Sequence, residues 1–226
     1  MASIRENLLK VMERIEKAAL RAGRDPGKIS LVAVSKTVEP ARIQEAVDAG
    51  ASILGENYVQ EAQKKIEAMG RPAAWHFIGH LQTNKAKVAV QLFDMIHSLD
   101  SIHLAEELSR RAGQAGRRLK VLIEVNLARE ASKFGTDEEK LFALAKRAKE
   151  LDHLSLEGLM TMPPYFDSPE ESRPYFVELR TWKERMEREG IPMKELSMGM
   201  SNDFEVAIEE GATYVRVGTA IFGARQ

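Results

Sequence analysis

Leu31-Val32-Ala33-Val34-Ser35-Lys36-Thr37 is an apolar run that ends on a lysine, with Glu39-Pro40 and a helical pattern directly behind it. A strand that is apolar on both faces belongs inside a parallel α/β sheet, where helices cover each side. Seven further segments have strand character: residues 52–55, 75–79, 95–98, 119–126, 156–160, 195–198 and 214–218. Amphipathic stretches alternate with them, among them 41–49, 56–68, 102–112, 138–150 and 175–188. Ahead of the first strand, Ile4, Leu8, Val11, Ile15 and Ala19 recur at helical spacing until Gly23 and Asp25-Pro26-Gly27 stop them. Gly50 and Gly211 each follow a helical stretch and precede a short apolar strand, the position of a left-handed helix cap, and Gly190 is a third instance.

Eight strands alternating with helices predict a single (β/α)₈ barrel with an extra N-terminal helix, one domain over residues 1–226. The alternative is a doubly wound open sheet. Against it, no Gly-x-Gly-x-x-Gly follows the first strand, where a dinucleotide fold requires it.

Composition narrows function by exclusion. The formal net charge of −1 gives no electrostatic case for nucleic acid or an anionic membrane. Without cysteine there is no disulfide, thiolate metal site or cysteine nucleophile. No apolar run approaches a membrane span, and the first ten residues lack the apolar region of a signal peptide, so a cytoplasmic protein is expected. No exposed apolar helix face stands out, so a monomer is expected.

In a barrel the C-terminal ends of the strands line the active site. A lysine there is partly desolvated, which favours the free amine, a nucleophile for aldehydes. The plainer reading of Lys36 is a solvated strand-end lysine, and the far end of the chain bears on the choice. Strand seven runs into Ser197-Met198-Gly199-Met200-Ser201-Asn202-Asp203, and strand eight into Arg216-Val217-Gly218-Thr219. Loops at these two positions commonly bind phosphate: glycines let amides approach an anion, hydroxyls donate, and a helix N-terminus adds positive potential. The competing reading makes Ser201 or Asn202 a helix cap, with Asn202 and Glu205 as a capping box. Asp203 suits a phosphate poorly and is expected to point toward the helix. Arg216 inside a strand calls for a ligand or for an ion pair with Glu124 or Glu157. His76 and His80 have zinc-ligand spacing for a helix, but they lie in a strand segment, so no metal site is expected. His97 either faces the barrel mouth or is a hydrogen-bonded structural histidine. Met160, Met162, Met198 and Met200 read as wall and packing groups.

Several segments together resemble the pyridoxal phosphate homeostasis proteins. They are Ala33-Val34-Ser35-Lys36-Thr37, Gly55-Glu56-Asn57-Tyr58-Val59-Gln60-Glu61 and His76-Phe77-Ile78-Gly79-His80-Leu81-Gln82-Thr83-Asn84-Lys85. Val125-Asn126 with Glu130, Lys133 and Gly135, then Gly158-Leu159-Met160, continue the series. Leu196 to Ser201 with Asp203, and Val215 to Gly223, complete it in order. The resemblance implies a barrel like the N-terminal domain of alanine racemase, carrying pyridoxal 5′-phosphate (PLP) as an internal aldimine on Lys36. It implies that Ser201, Gly218 and Thr219 hold the phosphate, together with backbone amides of the 199–202 loop, which includes Gly199 and Asn202. It further implies that Arg216 faces the pyridine nitrogen, that Asn57 lies near the cofactor and that residues 198–200, Met198 included, line the pocket.

The same resemblance implies a PLP carrier that buffers the cofactor or delivers it to apo PLP-dependent enzymes, affecting vitamin B6 and amino-acid balance. Racemisation needs a base on each face of a bound amino acid, and Lys36 serves one face only. In the racemases the other base is a tyrosine from a second domain. Of Tyr58, Tyr165, Tyr175 and Tyr214, only Tyr58 is expected near the mouth. A small PLP-dependent racemase-like enzyme is the first alternative, and a phosphosugar-type barrel enzyme that uses a lysine imine without the cofactor is a third reading that fits Lys36 and the phosphate loops.

Overall fold

A computed structural model of the chain describes residues 3–129 and 134–223. Eight parallel strands close into a barrel in chain order: β1 (Ser30–Val34), β2 (Ile53–Glu56), β3 (Ala74–Phe77), β4 (Met95–Leu99), β5 (Leu119–Glu124), β6 (Leu154–Met160), β7 (Glu195–Ser197) and β8 (Tyr214–Val217). Closure pairs β8 with β1, Ser30 opposite Tyr214 and Ala33 opposite Val217. The predicted barrel is the observed one, and the open sheet is excluded.

The helices are α1 (Ile4–Arg21), α2 (Pro40–Asp48), α3 (Val59–Met69), α4 (Ala86–Leu92), α5 (Ile102–Gln114), α6 (Glu138–Glu150), α7 (Arg173–Arg188), α8 (Phe204–Glu209) and α9 (Thr219–Phe222). Local chemistry sets many of their ends. A capping box opens α1, with Ser3 Oγ accepting the Glu6 amide at 3.1 Å and Glu6 Oε2 accepting the Ser3 amide at 2.9 Å. Pro40 opens α2, where its missing N–H costs nothing. Gly50, Gly190 and Gly211 all have positive φ, as their positions in the sequence predict.

Among the described residues only the four-residue α9 follows β8, and α1 takes the vacant place in the outer ring. It lies against α8 and α9 on one side and α2 on the other, burying Ile4, Leu8, Val11 and Ile15. Polar contacts fix it there: Asn7 Nδ2 donates to Ile221 O at 3.1 Å, and Arg14 pairs with Glu205 at 2.7 Å. The N-terminal helix is thus the eighth member of the ring.

The main apolar core is the annulus between strands and helices. Period-two alternation sends Ile96, Val121, Ile123, Leu196, Val215 and Val217 into it. Inside the barrel a small apolar cluster of Met95, Leu122 and Met160 packs with Tyr214. The remaining interior is polar, holding His76, His97, Ser197 and Arg216, all buried. Between β5 and β6 the register slips: Val121 faces Leu156, but Leu122 faces Gly158, leaving Glu157 as the extra residue. Among the described residues no helix is long and apolar enough to cross a membrane.

Candidate functional site

A cavity of about 1080 Å³ opens at the C-terminal ends of the strands. Lys36 enters it from just beyond β1, Asn57 from beyond β2, Glu124 from the end of β5 and Arg216 from β8. Residues 200–203 after β7 and 218–220 after β8 complete one wall. The structure therefore brings Lys36, Asn57, Ser201, Asn202, Arg216, Gly218 and Thr219 to one cavity.

The two loops predicted to meet an anion are tied to each other. Ser201 Oγ accepts the Gly218 amide at 3.3 Å, and α9 begins at the next residue, so the unpaired first amides of that short helix lie beside the serine. A Cβ at Gly218 would stand 3.3 Å from both Val34 Cβ and Val34 O, so glycine lets this loop lie on β1. Asn202 does not cap α8. Its Nδ2 donates to Phe166 O at 3.0 Å, joining the loop after β7 to the loop after β6. Nor does the capping box form, because Glu205 is engaged by Arg14. Asp203 is the N-cap by position without a side-chain cap bond, and its Oδ1 turns back to accept the Met200 amide at 2.6 Å. That carboxylate lies in the cavity wall, not turned toward the helix as expected.

Met198 corrects the expectation that residues 198–200 all line the pocket. It is fully buried in the annular core, and of the three only Met200 reaches the cavity. Gly199 is absent from the lining too. Its φ is +89°, and a Cβ there would stand 2.5 Å from Ala207 Cβ, so this glycine serves the turn into α8.

Arg216 is bonded neither to Glu124 nor to Glu157. Its Nη1 donates to Ser197 Oγ at 2.7 Å and its Nη2 to Thr161 O at 2.9 Å. Ser197 Oγ lies 2.9 Å from His97 Nδ1, and His97 Nε2 lies 3.0 Å from His76 Nδ1. The guanidinium can only donate, so the serine oxygen accepts from it and the serine hydroxyl goes to His97 Nδ1. That leaves His97 Nε2–H to donate to His76, and every proton in the row has one direction. Burial depresses both histidines, His76 to about 4 and His97 also well below its ordinary value, so both are neutral at pH 7. His97 is accordingly the hydrogen-bonded structural histidine, not a group at the mouth. Burial also lowers Arg216 to about 10, against the opposing pull of Glu124 and Asp203, and it remains a cation at neutral pH.

Asn57 Oδ1 is buried with no hydrogen-bond partner among the described residues, although the residue lines the cavity. Such an atom is costly unless a ligand donates to it. Gly79 fixes the backbone behind it, since a Cβ there would lie 2.3 Å from Asn57 O. An unmet acceptor, a buried guanidinium with N–H groups to spare, a half-buried lysine and a loop pair rich in amides and hydroxyls fit an aldehyde that carries a phosphate.

Phe134 and Tyr165 in the wall have no signal in the sequence pattern, and Glu124 has one only as an ion-pair candidate for Arg216. Glu124 is pushed up to about 7 by burial, with Arg216 opposing. At the mouth stand Tyr58, Phe134, Met162 and Tyr165, all exposed, so Tyr58 is not alone there. Phe134 stacks on His80 at 3.9 Å, and His80 Nδ1 lies 3.3 Å from Asp100. Tyr214 lies below the cavity, edge-on to both interior histidines. Glu130 and Lys133 lie outside the described residues. Among those described, no cluster of three or more His, Asp or Glu is arranged for a metal.

A sequence profile of the family described as alanine racemase, N-terminal domain, matches residues 2–226. The pyridoxal phosphate homeostasis protein of Aquifex aeolicus is 48% identical over 223 residues, covering 98% of each chain. A crystal structure of an unknown protein from Bifidobacterium adolescentis superposes with a TM-score of 0.91 at 38% identity, covering 96% of this chain and 94% of its own. PipY of Synechococcus elongatus, with PLP bound, superposes with a TM-score of 0.83 at 40% identity, covering 94% of this chain and all of its own.

Proposed function

The chain belongs to the pyridoxal phosphate homeostasis protein family, and from that membership we propose that it binds PLP in the barrel-mouth cavity as a carrier. Lys36 Nζ attacks the aldehyde carbon, a C=N bond replaces the C=O bond, and one water leaves. The observation that carries this reading is the convergence of Lys36, Asn57, Arg216 and the Ser201–Gly218 loop pair on one cavity. Ser201, Thr219 and the loop amides take the phosphate, as those donors suit an anion. Arg216, held from behind by Ser197 and Thr161, faces the ring nitrogen, and Asn57 Oδ1 accepts from the bound molecule. When bound, PLP supplies an electrophilic aldehyde and an electron sink. A cation at the ring nitrogen disfavours its protonation and weakens that sink, which suits storage and delivery to apo PLP-dependent enzymes.

The test is direct. Apo-protein mixed with PLP gains a visible absorption band, borohydride fixes the adduct, and peptide mass mapping finds it on Lys36. Lys36→Ala abolishes the band. An adduct on another amine, or none, overturns the reading. Ser201→Ala weakens retention by roughly tenfold or more, the value of one hydrogen bond to a charged group. The carrier role is tested by loading the protein, adding an apo-enzyme and comparing reactivation with free PLP at matched concentration.

One observation favours a second reading, a racemase-like amino-acid enzyme. Glu124 is a cavity carboxyl with a pKa of about 7, matched to proton transfer at neutral pH. Exchange of amino-acid α-protons in heavy water faster than free PLP achieves would select it over the carrier.

A further inference from the structure

Two side chains of α3 grip the peptide units on either side of Lys36. Lys65 Nζ donates to the carbonyl of Ser35 at 2.6 Å, and Glu61 Oε1 accepts the amide of Thr37 at 2.5 Å. The two side chains bond each other at 2.6 Å, which closes a ring spanning Lys36. Lys65 also donates to Glu56 Oε1 at 2.8 Å, and the same oxygen accepts from Ser35 Oγ at 2.6 Å. Lys65 and Glu56 are buried, and none of Glu56, Glu61 and Lys65 lines the cavity.

A buried ion pair alone is weak grounds for a role, since an apolar replacement is often as stable. Here the pattern is more specific, because three of the five bonds end on residues 35 and 37. Thr37 is β-branched and has φ +62°, a left-handed conformation that such a residue keeps only under restraint. A turn bond from the Val38 amide to Ser35 O at 3.0 Å closes over the two residues, and the Thr37 amide's bond to Glu61 is the side-chain restraint added to it. A surface lysine needs nothing of the kind, whereas an amine that must meet an aldehyde at a fixed point does.

We infer that Glu61 and Lys65 are positioning residues, holding the main chain around Lys36 so that its amine meets the aldehyde of the bound ligand. The inference rests on the PLP reading above and adds the groups that aim the lysine.

The experiment follows band formation after PLP is added to apo-protein, for wild type, Glu61→Ala, Lys65→Met and the double variant Glu61→Ala with Thr37→Gly. Affinity for pyridoxine phosphate, which carries an alcohol in place of the aldehyde, and the apo-protein's thermal midpoint are measured alongside. Band formation slows at least tenfold in Glu61→Ala while pyridoxine phosphate affinity stays within twofold. Thr37→Gly then recovers most of the lost rate, because glycine takes a left-handed φ without steric cost. A wild-type rate in Glu61→Ala overturns the inference, and so does an equal loss for the alcohol, or a double variant as slow as the single one. Lys65→Met strips the counter-charge from two carboxylates; if it does not fold, Glu61→Ala and the double variant decide. Wild-type protein with no adduct on Lys36 would sink the parent reading and this one with it. A normal wild-type adduct formed equally fast by Glu61→Ala sinks this one alone.

Discussion

Gly158 occupies a point where even a methyl group has no room. A Cβ there would stand 1.9 Å from Glu195 O and 2.7 Å from Glu195 C, backbone atoms of the neighbouring strand that cannot turn aside. Gly158→Ala therefore forces β6 from β7 beside the register slip, and should cost about 3 kcal/mol or more, at the upper end of overpacking effects. Urea denaturation measures it, and a change below 1 kcal/mol would mean that the strands part easily. Ser197→Ala acts by a different route. It removes the acceptor of one Arg216 N–H and the donor to His97 together, at a cost of about 1–3 kcal/mol per unmet buried group. Urea denaturation of the apo-protein registers that loss, and if the guanidinium shifts as a result, PLP retention falls as well. The placement of Lys36, Arg216, Ser201, Gly218 and Thr219 at the cavity was readable because each lies near the C-terminal end of a strand or in the loop after it, and a barrel directs those positions into its mouth. Met198 misled because alternation along β7 turns Ser197 inward and Leu196 and Met198 outward, and one residue of offset reverses the face. The contacts of Glu61 and Lys65 gave no signal, since their partners across the Lys36 turn lie 24 and 30 residues away.

At the scale of elements, all eight strands are legible because buried parallel strands read as apolar runs regardless of their partners. Their ends differ from expectation by a residue or two. The start of α3 differs more: Glu56 still belongs to β2, and helix begins only at Val59, so Asn57 and Tyr58 form the turn that reaches the cavity. The helical pattern starts too early at residue 56 because Glu56 is a good helix former, held in the strand by the buried Lys65. The seven-residue α4 is too short for its periodicity to stand out. The Asn202–Glu205 capping box is locally sensible, but Arg14, 191 residues earlier, claims the glutamate. That contact belongs to α1, whose amphipathic pattern was plain and whose place in the ring was not. If α1 completes the ring, its loss cannot be local. Leu8, fully buried on its inner face, should cost 2–5 kcal/mol on truncation to alanine, as buried leucines typically do. Circular dichroism and tryptophan fluorescence should report one shared, lowered transition. An early separate loss of helical signal would instead make α1 an appendage.

Across the whole molecule, the polar barrel interior makes stability depend on pH with terms of opposite sign. His76 and His97 are neutral in the fold and titrate normally when unfolded. As pH falls from about 6.5 toward 4, the unfolded chain binds protons that the folded one refuses, and stability is lost. For His76 alone the loss is about 3 kcal/mol by the bottom of that window. Glu124 works the other way. Its carboxyl is pushed up to about 7, so between pH 4.5 and 7 the folded protein keeps a proton that the unfolded chain releases. Its contribution is present below 4.5 and disappears as pH rises through 7, again about 3 kcal/mol. One histidine and the glutamate nearly offset each other over most of their windows, and the second histidine tips the balance toward loss in acid. Removing Glu124 should therefore uncover the histidines. Glu124→Gln should be more stable than wild type at pH 7.5 by up to about 3 kcal/mol, and close to wild type near pH 4.5. Its stability should accordingly fall more steeply on acidification. Urea midpoints of both proteins at pH 7.5, 6 and 4.5 test this, with His97→Asn as the opposing case, where the fall should flatten. Parallel profiles for wild type and Glu124→Gln would mean that the carboxyl is already ionised in the folded apo-protein. Glu124 would then be a standing counter-charge to Arg216, and the cavity would meet its ligand with one positive charge fewer.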